Sequence, residues 1–177
     1  GWVYESTPNN GAVTQTEARL ELAREAGAAA LVLLKNDEVD GGKLLPLQVP
    51  EDGAYKVAVY GHFADPGTGK MFLGGYSCNM GESAYENMIT PYAGLKEAIQ
   101  EVNPDAQVDF YKGFTSGNSA SQLTALDEEA IAKAGDYDVV FVYVGTDSGT
   151  ANEQGDRSTL ELPGAQNDLI RAVAAEN

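Results

Sequence analysis

Val139, Val140, Phe141, Val142, Tyr143 and Val144 are apolar without alternation, and no other part of the chain restricts the fold as much. A strand with one wet face alternates apolar with polar residues. A strand apolar on both faces belongs in the middle of a sheet covered by helices on both sides. The chain therefore has to supply helices on either side of this run and parallel strands beside it.

The flanking sequence does so. Thr14 with Glu17 makes a capping-box pattern, and Ala18, Leu22, Ala26 and Ala29 recur at helical spacing, which predicts a helix from about Thr16 to Ala30. Ala30 to Leu34 is an apolar run ended by the turn formers Lys35, Asn36 and Asp37. Lys56 to Tyr60 is a β-rich run ended by Gly61 and is the expected first strand of the buried sheet. Thr90 as N-cap and Pro91 at the first helical position open a helix to about Val102 that Asn103 and Pro104 close. A strand at Val108 to Tyr111, a helix at Leu123 to Ala134 stopped by Gly135, the strand at Asp138 to Val144, a polar loop from Gly145 to Thr159 and a helix at Pro163 to Ala175 complete the order. This alternation is that of a doubly wound α/β domain with a mostly parallel sheet.

A last helix ending near Asn177 asks for one more parallel strand, so the sheet is expected to be incomplete at its C-terminal end. Gly1 to Val13 is rich in Asn, Gly, Ser, Thr and Pro and reads as a linker from another domain, which leaves 14–177 as one domain. With Gly1 and Trp2 opening the chain, the expectation is a piece cut at both ends. The 11 Lys and Arg stand against 27 Asp and Glu, a net charge of -16, which disfavours nucleic acid as a partner and is compatible with a neutral substrate such as a sugar. No apolar run reaches the ~20 residues of a membrane helix, so no membrane partner is expected. Cys78 stands alone, so no internal disulfide can form. Cellular location is left open.

In an open parallel sheet, ligands sit beyond the carboxyl ends of the strands, which directs attention to the loops after Tyr60 and Val144. Gly67, Thr68, Gly69 and Lys70 look like part of a phosphate loop, but Ala64 and Met71 occupy places where that motif needs Gly and Ser or Thr. No dinucleotide glycine pattern is present either, so no cofactor is expected. His62 is a candidate base or ligand, yet it has no His or Cys partner for zinc, and an isolated loop histidine is usually only a polar group. No metal is expected. Gly74, Gly75, Tyr76 and Ser77 place an aromatic ring after a flexible glycine pair, suited to close approach by a ligand or to a plain turn.

Gly145 to Arg157 gathers Asp147, Glu153, Asp156 and Arg157 after the most apolar strand. A solvated charge cluster would look the same by spacing alone. Glycoside cleavage needs one protonated carboxyl to donate to the leaving oxygen and, in retaining enzymes, a second carboxylate ~5 Å away as nucleophile. Glu153 suits the first role. Asp156 next to Arg157 suits a structural pair that orders the loop, because Arg holds a neighbouring carboxyl ionised.

The ordered series of motifs is similar to the C-terminal sandwich domain of family 3 glycoside hydrolases across nearly the whole chain. Glu17 to Leu47 resembles the opening helix and the LVLLKND and LLPL segments. Lys56 to Asp65 resembles the first strand and its loop, and Leu73 to Ser77 the Gly-Gly-Tyr-Ser turn, while Thr90 to Ile99 fits the next helix. The most specific part is Asp138 to Asp147, followed by Glu153, Gly155 to Arg157, Leu160, Leu162 to Gly164 and Gln166.

The resemblance implies a three-layer α/β/α sandwich and a retaining, exo-acting β-glucosidase-like enzyme that acts on terminal β-linked sugars. It also implies Glu153 as acid/base, Tyr76 and Asp147 at the sugar, and an Asp nucleophile on a barrel domain, usually in a Ser-Asp-Trp motif. The only Trp is Trp2 and no Ser-Asp-Trp occurs, so the nucleophile is expected on a missing TIM barrel of ~250 residues, leaving this chain an inactive half. The alternative is a non-catalytic carbohydrate-binding or scaffold domain of the same fold. A nucleotide-binding domain is the third and weakest reading.

Overall fold

The computed structural model describes residues 16–39, 41–67 and 88–177. The linker and capping-box expectations at Gly1 to Thr14, and those at Gly74 to Ser77, fall outside these residues. The chain forms two compact units, one up to Gln48 and one from Val49 onward.

The first unit holds helix α1 (Glu17–Ala29) and a short antiparallel pair, β1 (Glu38–Val39) with β2 (Gly42–Lys43). The predicted helix is present, with Thr16 as an N-cap whose side chain makes no cap hydrogen bond. None of its residues is buried, so the apolar spacing of Ala18, Leu22, Ala26 and Ala29 finds no cover within this unit. The apolar run Leu31 to Leu34 is neither helix nor strand and is exposed along its length. Beyond it, the Asn36 amide bonds both the N–H and the carbonyl of Leu45, at 3.1 and 2.7 Å.

The second unit is built on a parallel three-stranded sheet of β3 (Lys56–Tyr60), β4 (Gln107–Tyr111) and β5 (Val139–Val142), in the order β4-β3-β5. The helices of this unit are α2 (Pro91–Val102), α3 (Glu128–Ile131) and α4 (Gln166–Glu176). Because β4 lies on one side of β3 and β5 on the other, the direction of winding reverses at β3. Such a reversal opens a crevice at the carboxyl ends of the strands that flank it.

Strand alternation divides the core into two clusters. Ala58 and Tyr60 join Leu123, Ile131, Leu169 and Val173. Val57 and Val59 join Ile99, Ala106 and Val108. The same alternation sends Val140 and Val142 to the first cluster and Val139 and Phe141 to the second.

Three expectations change. The strand expected in the middle of the sheet lies at its side among the described residues: β5 pairs with β3, and β3, fully buried over Val57–Tyr60, is central. Apolar residues on both faces report what covers the faces, and β5 does feed both clusters, but they say nothing about which strand runs along its edge. The strand is also shorter than its apolar run, ending at Val142. The helix expected at Leu123 to Ala134 is a single turn, because the Asp127 carboxylate accepts from the Ala130 N–H and starts the helix there. Leu123 is used otherwise, its carbonyl accepting from the Ala165 N–H at 2.7 Å. Helix α2 follows its signals closely: Thr90 Oγ1 accepts from the Ala93 N–H at 3.2 Å, and Pro91 opens the first turn.

Candidate functional site

The loops after β3, β4 and β5 meet at the carboxyl ends of the strands. Past β3, the Tyr143 N–H donates to the Tyr60 carbonyl at 2.8 Å and the Gly61 N–H to the Tyr111 carbonyl at 3.0 Å, so the ladder continues one step into the loops. Gly61 makes this possible: its φ is 103°, and a Cβ there would stand 2.0 Å from the Tyr143 carbonyl oxygen. His62 follows at 4% exposure, and its Nε2 has no hydrogen-bond partner among the described residues. Burial, with Lys112 nearby, holds its pKa below the ordinary 6.5, against smaller opposing effects of the Asn118 backbone and the Asp147 carboxylate.

The polar loop after β5 is clamped at both ends by one side chain. Gln166, 1% exposed at the start of α4, accepts from the Gly145 N–H at 2.9 Å through Oε1. Its Nε2 donates to the Gly145 carbonyl at 2.9 Å and the Pro163 carbonyl at 2.8 Å. A glutamine opening a helix is ordinary in sequence, and only the burial of Gln166 shows the clamp. The far end of the loop rests on the segment after β4, where Gly164, at φ 67°, passes so near that a Cβ would stand 2.5 Å from the Leu123 carbonyl oxygen.

Within the loop, Asp147 is half-buried and its carboxylate accepts from two backbone N–H groups and one hydroxyl. Oδ2 accepts from the Ala120 N–H at 2.7 Å; Oδ1 accepts from the Gly149 N–H at 3.1 Å and from Thr150 Oγ1 at 3.0 Å. Its carbonyl accepts from the N–H groups of Thr150 and Ala151. A second turn follows directly. Asn152 and Gly155 exchange backbone hydrogen bonds at 3.4 and 3.0 Å, and Asn152 Nδ2 reaches back to the Ser148 carbonyl at 2.8 Å.

Glu153 and Gln154 are the two central residues of that turn. Gln154 is the one non-glycine residue with positive φ among the described residues, at 66°, the conformation such turns demand at their third position. Glu153 is thereby held at the tip, exposed, with no ion pair or hydrogen bond from its carboxyl among the described residues.

Asp156 and Arg157 stand beside the turn. Arg157 donates to the carbonyls of Thr159, at 3.4 Å, and Glu161. The ion pairs among the described residues are Arg24 with Glu21, Lys35 with Asp37 and Arg171 with Asp168, and none joins Asp156 to Arg157. An open cavity of about 490 Å³ lies on this side of the loop, lined by Thr146, Arg157, Ser158, Thr159, Leu160 and Leu162. Tyr76 lies outside the described residues. No group of three or more His, Cys, Asp or Glu that could hold a metal occurs among the described residues.

The three-stranded parallel sheet with helices α2, α3 and α4 defines a mixed α/β domain, and the loop that carries Glu153 follows the carboxyl end of β5. More particularly, the chain belongs to the glycosyl hydrolase family 3 C-terminal domain, whose profile matches residues 31–177. It is 30% identical over 168 residues to an exo-α-(1→6)-L-arabinopyranosidase of Bifidobacterium longum, an alignment covering 91% of this chain and 20% of that protein. Against a β-xylosidase of Formosa agariphila it is 33% identical, covering 90% of this chain and 20% of the relative. The structure of a β-glucosidase from Listeria innocua in complex with gluconolactone aligns with a TM-score of 0.64 and 28% identity, over 92% of this chain and 19% of that one. The chain thus spans about a fifth of the length of the relatives it matches.

Proposed function

We propose that this domain contributes the acid/base carboxyl, Glu153, to a retaining, exo-acting β-glycosidase of β-glucosidase type that acts on terminal non-reducing β-D-glycosyl residues. In this reading the domain works within a longer protein whose barrel carries the Asp nucleophile, and its sheet continues into a three-layer α/β/α sandwich. Tyr76 would meet the sugar, and Asp156 and Arg157 would order the loop. The observation that carries the reading is the Asn152–Gly155 turn, which commits a non-glycine residue to positive φ and holds Glu153 outward without a partner among the described residues. Relatives named as a β-xylosidase, a β-glucosidase and an arabinopyranosidase support glycoside cleavage as the reaction class.

The chemistry asks for one group twice. Glu153 would protonate the leaving oxygen as the glycosyl–enzyme bond forms, then take a proton from the water that breaks it. An exposed side chain on a tied turn can face a second domain and serve both steps. The test is Glu153→Gln in the full-length protein. For an alkyl β-glucoside, whose leaving group needs protonation, kcat/KM is expected to fall about 10² to 10⁴-fold. For a dinitrophenyl β-glucoside, which leaves unaided, it is expected to change little. Equal losses on both substrates would remove Glu153 from the acid role.

A further inference from the structure

We propose that Asp147 is a positioning residue that sets where the Glu153 carboxyl stands, a proposal that rests on Glu153 being the acid/base. Its carboxylate joins the segment after β4 to the first turn of the loop after β5. Through Oδ2 it binds the N–H of Ala120, a fully buried residue 27 positions away on the segment after β4. Through Oδ1 it binds the Gly149 N–H and the Thr150 hydroxyl, closing the turn that Ala151 continues. The next residue, Asn152, begins the turn that carries Glu153 and returns its amide to Ser148 inside the Asp147 turn.

A continuous set of hydrogen bonds therefore runs from the buried Ala120 segment to the tip of the loop, and Asp147 is the link where it leaves the core. Three protein donors occupy a carboxylate with about four acceptor positions, two of them on Oδ1, which leaves little capacity for sugar hydroxyls. Loss of the link shifts a catalytic group by a fraction of an ångström to an ångström, enough to matter where proton transfer needs hydrogen-bond geometry.

Substrate reactivity separates positioning from sugar binding. In the full-length protein, Asp147→Ala is expected to lower kcat/KM about 10 to 10²-fold for an alkyl β-glucoside. For a dinitrophenyl β-glucoside the expected change stays within about twofold, because acid catalysis contributes little there. A sugar ligand or a general structural defect would lower both alike, and that outcome overturns the proposal.

Glu153→Gln is measured beside it. If Glu153→Gln separates the two substrates and Asp147→Ala does not, positioning fails while the acid/base reading stands. If Glu153→Gln does not separate them, both fail. Should Asp147→Ala not fold, since it orphans the buried Ala120 N–H, Thr150→Val removes the hydroxyl that lies 3.0 Å from both the Asp147 carboxylate and carbonyl and accepts from the Asp147 N–H, leaving the Ala120 and Gly149 bonds in place. A shift of the substrate ratio in the same direction supports the proposal, and an unchanged ratio overturns it.

Discussion

His62 illustrates how a single residue carries a cost that the sequence does not display. Its imidazole is buried with Nε2 unpartnered among the described residues, and burial first, then the Lys112 charge, hold its pKa below 6.5. Well above pH 6.5 the group is neutral in both folded and unfolded chains and contributes no pH dependence. As pH falls through 6.5, the unfolded chain takes up the proton first, so stability falls until the folded histidine titrates as well. Urea midpoints measured between pH 8 and 5 are expected to decline over this window in the native chain, with the decline reduced in His62→Leu. Equal slopes in the two proteins would show that His62 is not the group responsible. Sequence made His62 visible as a candidate and its isolation from zinc partners plain, but burial is a property of the packed loop. Tyr60 shows the opposite balance: it is equally buried, yet its hydroxyl donates to the Ala130 carbonyl at 2.6 Å, and burial raises its pKa far above 10, so it remains a donor.

At the scale of elements, α4 is held to the sheet mainly by Leu169 and Val173, which enter the cluster of Ala58, Tyr60 and Ile131. Leu169 sits so close to Gly113 that a Cβ on that glycine would stand 2.6 Å from Leu169 Cδ1. Leu169→Ala removes a fully buried side chain from a seat shaped by backbone, which gives the site little room to collapse. The expected loss is about 2–5 kcal/mol, read from chemical denaturation. A loss under about 1 kcal/mol would mean that α4 is not anchored through this residue. Elements with a strong local signal, such as α2 with Thr90 and Pro91, were legible before folding because their caps act over three or four residues. The Leu123 to Ala134 segment was not: Leu123 is taken by a contact with Ala165, far along the chain, and Leu126 by a bridge to Phe114.

For the molecule as a whole, the covered fraction of its relatives matters most. A chain that spans about a fifth of proteins named as glycosidases, and that contains no Ser-Asp-Trp, would on the proposed function bring one carboxyl to a reaction that uses two. The 177-residue chain by itself is therefore expected to show no turnover of aryl β-glycosides, and the full-length protein to show it. Turnover by the chain alone would require both carboxyls to lie within it. The mass of the native protein, detected with an antibody against this chain, gives an independent check. A product at least ~250 residues longer accommodates a barrel, whereas one of 18.7 kDa favours the binding or scaffold reading.

What the sequence determined alone was local or periodic: the strand and helix order, the caps of α2, the parallel sheet, the absence of a phosphate loop, and a run of motifs specific enough to place the chain among family 3 glycoside hydrolases. Each rests on neighbours in the chain or on a repeat of two or 3.6 residues. Tertiary structure decided which strand is central, which polar residues are buried, and how the Glu153 loop is held. Those depend on contacts such as Asp147 with Ala120 and Gln166 with Gly145, separated by 27 and 21 residues. No periodicity in the sequence encodes such contacts, because their partners are brought together only when the strands align.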